Sequence, residues 1–285
     1  NSALWNTGVP AIGFAAITVD LSAIETTACD PSTGGICLPP SGEWGYRVRF
    51  EPDGTIDVFT VDETYSYLAY STEAGDHTVR NVIRDDDPYG TFNINTDCPL
   101  IFVEDKVWLE GEVSELVTIA VADNDLGDPD HSIILNNDLT YTTTSAGLLA
   151  VAEEDVLIGL DVPERMELNG IFIAQNGRFG RNLHDAADLP EECVATTTYW
   201  WFGWHTVCTD WDTLFADKIL VDELTINGTI VSNGRVGTKW SCGGTYCGGF
   251  NTRTNTYDRF LVDNPPPLAP NTSEDYRFIE WREGE

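Results

Sequence analysis

Three segments of this chain repeat one pattern of apolar residues closed by a glycine, and this repeat limits the possible folds more than any other feature. Each copy reads apolar, three residues, apolar, one residue, apolar, one residue, glycine, and the copies are Val103–Gly111, Val162–Gly170 and Leu220–Gly228. The second and third copies continue alike into Asn-Gly-Arg-x-Gly, at 176–180 and 233–237. Repeated units bury a shared core by stacking on their neighbours, so the pattern predicts a single-stranded β-solenoid.

The spacing of the copies predicts coils of about 23 residues, near the short end of structural repeat lengths. The closing glycines lie 59 and 58 residues apart (111 to 170, then 170 to 228), too far for one coil. An insertion of about 35 residues, at about 183–217, accounts for the excess in the second step. In such coils alternate residues point inward, and an Asn-Gly corner takes the positive φ that an abrupt turn needs.

The strands for further coils lie between the first two copies, where 132–142, 148–152 and 156–160 are apolar runs. The alternative fold for the same repeats is an ordinary β-sandwich with two similar hairpins. Arginines 178, 181 and 235 stand beside the repeated glycines, and we expect them to pair with the abundant carboxylates.

The N-terminal third reads as antiparallel strands. Residues 45–62 alternate apolar and polar side chains on both sides of a Pro-Asp-Gly turn, which predicts a β-hairpin. Helical periodicity is almost absent from the chain. The sequence therefore predicts an all-β protein, with a small antiparallel β region at 1–97 and a β-solenoid domain at 98–285.

The charge of the chain excludes several kinds of partner. It carries 15 Lys and Arg against 47 Asp and Glu, a formal net charge of −32. A general nucleic-acid binder needs clustered cations, and so does a protein that docks on an anionic membrane surface. No run of about 18 apolar residues is present, so the sequence predicts no membrane span within this chain.

The seven cysteines predict three local disulfides and one buried thiol. No Cys-x-x-Cys motif occurs, and the four histidines do not lie at zinc-ligand spacings. Disulfides persist outside the reducing cytosol, so an extracellular or cell-surface protein is expected; seven free thiols in a cytosolic chain are the alternative. The predicted pairs are Cys29 with Cys37, Cys193 with Cys208, and Cys242 with Cys247, which leaves Cys98 reduced.

The insertion concentrates aromatic residues between two of these cysteines. Rings on an exposed loop give a large, rigid contact area, which suits the binding of carbohydrate rings or an aromatic polymer. The alternative is a satellite core in which the rings bury one another. The predicted ligand-binding residues are Tyr199, Trp200, Trp201, Trp204 and Trp211.

Catalytic and metal-binding signals are sparse. His205, with Asp210 nearby, has the residue types of a general base and its orienting acid, but the loop supplies no serine nucleophile, so no catalytic residue is assigned. A calcium ion is the one cofactor considered, since hard cations bind several flexible oxygens. A solvated acidic turn is the alternative for its ligands, which are Asp123, Asp125, Asp128 and Asp130.

The repeat and the C-terminal segments together resemble the PilX-type pilus-assembly proteins of candidate-phyla bacteria. The similarity covers the chain after residue 97 well and the earlier part loosely. It implies a cell-surface ectodomain associated with type IV pili, normally carried behind an N-terminal hydrophobic helix, and it brings no catalytic residues. The residues that carry it are 168–182, 230–240, Tyr257-Asp-Arg, Pro265–Pro267 and 276–283.

These observations predict a structural or adhesive module that binds a polymeric or surface ligand, and possible pilus subunits, through the aromatic loop. The alternative is a secreted hydrolase that acts on a polysaccharide or a polyester. An enzyme requires a groove with convergent polar groups and perturbed ionisable residues, whereas a binding module requires exposed rings.

Overall fold

The computed structural model describes residues 20–122, 130–201 and 204–270, and β-strands dominate them. The predicted all-β class is confirmed. These described residues contain two α-helices, α1 (Leu21–Ala28) and α2 (Phe260–Asp263). The strands are β1 (Ile36–Leu38), β2 (Tyr46–Phe50), β3 (Thr55–Ser71), β4 (Gly75–Asn93), β5 (Leu100–Val103), β6 (Val107–Val113), β7 (Leu116–Val121), β8 (Ile133–Tyr141), β9 (Gly147–Ala152), β10 (Val156–Ile158), β11 (Arg165–Ala174), β12 (Phe179–Gly180), β13 (Glu191–Trp200), β14 (Trp204–Thr213), β15 (Leu220–Ser232), β16 (Lys239–Cys242) and β17 (Thr245–Thr256).

Fifteen of these strands form one hydrogen-bonded sheet that winds into a coil with three faces. On the first face, β1, β5, β7, β9 and the C-terminal halves of β11 and β15 pair in parallel, each with the next. On the second face, β2, β6, β8, β10 and β12 do the same. The third face joins the N-terminal half of β15 to β11 and β17.

The register of the first face gives the length of each coil. Its paired positions are Ile101, Ile119, Ala150, Phe172 and Ile230, so the steps are 18, 31, 22 and 58 residues. The 58-residue step contains β13 and β14, and the 22-residue step matches the coil length that the sequence predicts. The chain therefore repeats one short coil and carries its long insertions outside it.

The second and third copies of the sequence repeat stack directly on each other. Leu168 pairs with Ile226, and Gly170 pairs with Gly228, in one parallel ladder. Both apolar side chains are buried in the main core. The solenoid is confirmed, and the β-sandwich alternative is wrong for these strands, since sandwich sheets are antiparallel. The first copy is offset, because Gly111 pairs with Leu139, which also pairs with Leu168.

Two kinds of glycine make the corners possible. Gly170 and Gly228 have φ of +151°, and a Cβ on Gly228 would overlap the carbonyl oxygen of Gly170. The expected positive φ is absent at the other Asn-Gly corners, 177 and 234. There a Cβ would collide with the neighbouring coil instead, 2.7 Å from the Glu154 carbonyl carbon at Gly177 and 2.8 Å from the Arg178 Cβ at Gly234. Close approach of successive coils, and not backbone conformation, requires these two glycines.

The outer sides of two faces are covered, which explains their unbroken apolar runs. Helix α1 packs Ile24 and Ala28 over the first face, so all four residues of β5 are buried. Cys98 lies in the same cluster as a free, buried thiol, as predicted. The long hairpin β3–β4 covers the second face, where the Trp108 indole N–H donates to the Asn81 carbonyl oxygen at 2.9 Å.

The predicted hairpin at 45–62 is confirmed, since β2 and β3 pair antiparallel. Strand β1 also pairs in parallel with β5, and β2 with β6, so the first and second faces of the sheet both cross the predicted division near residue 97. All three predicted disulfides are present, Cys29–Cys37, Cys193–Cys208 and Cys242–Cys247. Within the described ranges, no helix has the length and apolar character needed to cross a membrane.

Candidate functional site

Strands β13 and β14 form a separate two-stranded sheet, here called the aromatic hairpin (residues 191–213). The hairpin leaves the solenoid through a closed base, where the Leu214 N–H donates to the Pro190 carbonyl oxygen at 2.8 Å. The disulfide between Cys193 and Cys208 joins its two strands. An isolated two-stranded hairpin is marginally stable in water, so this covalent link compensates for the missing core.

Five aromatic side chains of the hairpin, all among the described residues, stand in solvent. None of them belongs to a buried cluster of the described chain, so the satellite-core alternative is wrong. Their exposed fractions are 49% for Tyr199, 66% for Trp200, 70% for Trp201, 77% for Trp204 and 57% for Trp211. A monomeric protein rarely leaves so many large apolar rings together in water unless the surface binds something.

The strand register gathers three of the tryptophans on one face. Trp200 lies opposite Trp204, and Thr198 lies opposite Thr206 with their hydroxyl oxygens 3.1 Å apart. Directly opposed residues share a face, and so do residues two apart along a strand. Trp211 lies opposite Cys193, whose disulfide partner stands on that same face. Trp200, Trp204 and Trp211 therefore line one side of the hairpin, here called the tryptophan face.

The other side does not assemble a catalytic base. The His205 ring stacks on Tyr199 with centroids 5.8 Å apart, and its Nε2 lies 2.9 Å from the Trp201 carbonyl oxygen. Asp210 is five residues further along the same extended strand, a distance of about 17 Å at 3.4 Å per residue. The suggestion that Asp210 orients His205 is therefore wrong, because strand geometry separates them.

The charge around the tryptophan face restricts its ligand. Residues 191–213 contain no Lys or Arg, whereas Glu191, Glu192, Asp210 and Asp212 stand near the base of the hairpin. In a chain with a net charge of −32, such a surface repels anionic polymers. A neutral ligand with broad apolar faces fits these rings best.

Three of the four proposed calcium ligands, Asp123, Asp125 and Asp128, lie outside the described residues. The fourth, Asp130, accepts a hydrogen bond from the Lys106 ammonium at 2.6 Å. No cluster of three or more His, Cys, Asp or Glu side chains suited to a metal occurs in the part of the chain that the structure describes. The calcium site stays a prediction.

A polar groove of about 510 Å³, which no sequence pattern indicates, lies between the β3–β4 hairpin and the solenoid. Its lining includes His77, Lys106, His131 and Asp155. Burial raises the pKa of the Asp155 carboxyl above its ordinary value, although this carboxylate accepts the Arg178 backbone N–H at 2.6 Å. That hydrogen bond fixes the corner of the solenoid at Arg178, so Asp155 contributes to the fold as well as to the lining of the groove.

The expectation that the arginines beside the glycines pair with carboxylates holds for one of three. Arg178 contacts Glu73, with Nε and Oε2 3.3 Å apart. Arg181 is fully buried and donates to the carbonyl oxygens of Gly159, Leu160 and Lys218 instead. Arg235 makes no hydrogen bond or ion pair with any residue that the structure describes.

Comparison with known proteins gives no match for this chain among family models, curated proteins or solved structures.

Proposed function

We propose that this protein is an extracellular binding module, displayed on a cell surface or a pilus, that attaches to a neutral polysaccharide through its tryptophan face. The observation that carries the proposal is the exposure of Trp200, Trp204 and Trp211 on one side of a disulfide-linked hairpin. Such rings cover the apolar faces of pyranose units, and the hydroxyls of Thr198 and Thr206 between them supply hydrogen bonds to sugar hydroxyls.

The construction of the hairpin favours a rigid binding surface. A tryptophan side chain has two rotatable bonds, and the Cys193–Cys208 link restrains the strands that carry the rings. Less conformational freedom is then lost when the ligand binds, which improves affinity without any additional contact.

Three disulfides support the extracellular part of the proposal, since they persist in oxidising compartments. The pilus part rests on the resemblance of the repeat and C-terminal segments to PilX-type proteins. A module at the end or flank of a pilus would use the hairpin to hold the cell on a polymeric surface.

The proposal is tested by replacing Trp200 and Trp204 together with alanine. We expect the double variant to lose roughly tenfold or more in affinity for insoluble cellulose or chitin, because stacked rings carry most of the contact area. Sedimentation of the protein with the polymer measures the affinity. The control is Trp44→Ala, which removes a ring that is 43% exposed outside the hairpin and should leave binding unchanged.

Thermal unfolding of the same variants separates recognition from stability. Because the rings are exposed, the double variant should unfold within about 2 °C of the parent protein. Undiminished binding by the double variant would contradict the proposal, and so would equal losses of binding in the double variant and in Trp44→Ala.

The alternative, a polymer hydrolase, is supported by the groove that contains His77, His131 and Asp155. It predicts release of soluble saccharides from the polymer. That release should disappear in His131→Ala while attachment through the hairpin persists. Attachment without release of products supports the binding module instead.

A further inference from the structure

The two Asn-Gly-Arg copies form one stacked corner of the solenoid. The Gly234 N–H donates to the Gly177 carbonyl oxygen at 2.8 Å, and the Asn233 side-chain amide donates to the Asn176 carbonyl oxygen at 3.2 Å. Gly180 and Gly237 form a parallel bridge three residues later. Arg178 and Arg235 therefore occupy the same position on adjacent coils, whose backbones are about 4.8 Å apart.

The lower arginine of the corner is held rigidly. Arg178 is 6% exposed, and its guanidinium donates to the Asn182 side-chain oxygen while its Nε faces the Glu73 carboxylate. A Cβ on Gly180 would lie 2.5 Å from Arg178 Nη1, so the glycine leaves space for this group. Burial opposes ionisation of Glu73, yet hydrogen bonds from Thr72 and its own backbone, with the charges of Arg178 and Arg235, keep its pKa below the ordinary value.

The upper arginine has no such partner among the described residues. Arg235 is exposed, and its charge acts with that of Arg178 to lower the pKa of the Glu73 carboxyl. The carboxylates of Glu73 and Asp155 both contact Arg178 at this corner, whereas Arg235 forms no ion pair with a described residue, so its guanidinium is left for an anion to neutralise.

A pocket of about 330 Å³ opens at this corner, and its lining contains no carboxylate. Besides the two arginines, the hydroxyl residues Thr72 and Ser241 and the side chain of Trp240 form its walls. Trp240 is fixed in place, since its indole N–H donates to the Arg181 carbonyl oxygen at 2.9 Å and Tyr70 packs edge-on against its ring. Lys239 also lines the pocket, although its ammonium donates to Asn251.

We propose that this pocket binds an acidic saccharide unit by its carboxylate, with Arg235 and Arg178 as the charged donors. The planar fork of a guanidinium matches a carboxylate in two parallel hydrogen bonds. The volume is at the small end of ligand pockets and suits one sugar ring, with the hydroxyls and the indole beside it. This site is separate from the tryptophan face and does not depend on the function proposed for it.

The experiment measures binding of galacturonate to the whole protein by calorimetry at low ionic strength. The neutral methyl ester of galacturonate is the ligand control. We expect galacturonate to bind and the ester to bind at least tenfold more weakly, because the ester carries no negative charge to pair with the guanidinium and cannot accept two parallel hydrogen bonds as a carboxylate does. We expect Arg235→Gln to weaken galacturonate binding roughly tenfold or more.

The matched control is Arg165→Gln, which removes an equally charged, exposed side chain from another part of the solenoid and should bind galacturonate like the parent. The variant that lacks Trp200 and Trp204 should also bind galacturonate normally, which keeps this test apart from that of the hairpin. Equal binding of the ester, unchanged binding by Arg235→Gln, or loss of binding in the hairpin variant would overturn the proposal.

Discussion

Three buried side chains, those of Tyr67 on β3 and of Arg181 and His184, show how burial disfavours ionised groups in this part of the core. Burial lowers the pKa of the Arg181 guanidinium to about 10, and burial together with the charge of Arg181 lowers the pKa of His184 to about 3. The Tyr67 ring lies against His184 with centroids 5.6 Å apart, and desolvation raises the pKa of its hydroxyl. The core holds one positive charge here, whose two Nη groups donate to carbonyl oxygens, and keeps His184 neutral.

His184 therefore links stability to pH. Between pH 6.5 and about 3 the unfolded chain protonates this histidine while the folded protein keeps it neutral, so the free energy of unfolding falls as the pH falls through this window. We expect its contribution between pH 7 and pH 4.5 to be about 2–3 kcal/mol. Urea unfolding at both pH values should show this part of the loss in the parent and not in His184→Phe. The exposed control, His205→Phe, should lose as much stability as the parent. An equal pH dependence in the parent and His184→Phe would contradict the assignment.

Part of the candidate site could be predicted from residue types and their spacing alone. The cysteine spacing predicts all three disulfides, and the aromatic cluster indicates a surface, because both signals are local in the sequence. The expectation of a carboxylate partner holds for Arg178 but not for Arg181 or Arg235, since the surroundings of each arginine depend on which coil lies next to it. The excess of acidic residues favoured carboxylates as partners of the arginines. The buried Arg181 guanidinium instead donates to backbone carbonyl oxygens.

At the scale of strands and coils, the sequence repeat predicts the stacking of Gly170 on Gly228 and of Leu168 on Ile226. The first copy was misleading, because Gly111 pairs with Leu139 after an irregularity between Leu109 and Gly111. Apolar alternation recurs on every face of a solenoid, so a short pattern does not identify the face. Matched glycines with the long Asn-Gly-Arg continuation identify it, since two coils must then approach at the same corner.

The closest approach of two coils gives a test at this scale. Gly228→Ala places a methyl group against the Gly170 carbonyl oxygen and strains the backbone at a φ of +151°, so we expect a loss of about 2–4 kcal/mol. Gly237→Ala is the control, because a Cβ there meets nothing within 4 Å and its stability should change by less than about 1 kcal/mol. The midpoint of urea unfolding measures both. Equal stability of the two variants would contradict the stacked corner.

In the whole molecule, insertions extend from a solenoid whose coils are otherwise short. The β3–β4 hairpin returns to cover the second face and becomes part of the core, with Val61 and Val82 buried. The aromatic hairpin, in contrast, does not cover a face of the solenoid. The sequence could not distinguish these outcomes, because both insertions are strand pairs with large apolar residues. Burial depends on whether a face of the solenoid remains uncovered beneath the insertion.

The central claim is that the aromatic hairpin is displayed for binding and contributes little to the fold. The most direct test removes 191–213 and joins Pro190 to Leu214 through an Asn-Gly turn, since the hydrogen bond between them already brings the ends together. We predict a melting temperature within about 2 °C of the parent and complete loss of attachment to insoluble polysaccharide. Retained attachment, or a melting temperature lower by more than about 5 °C, would contradict the account.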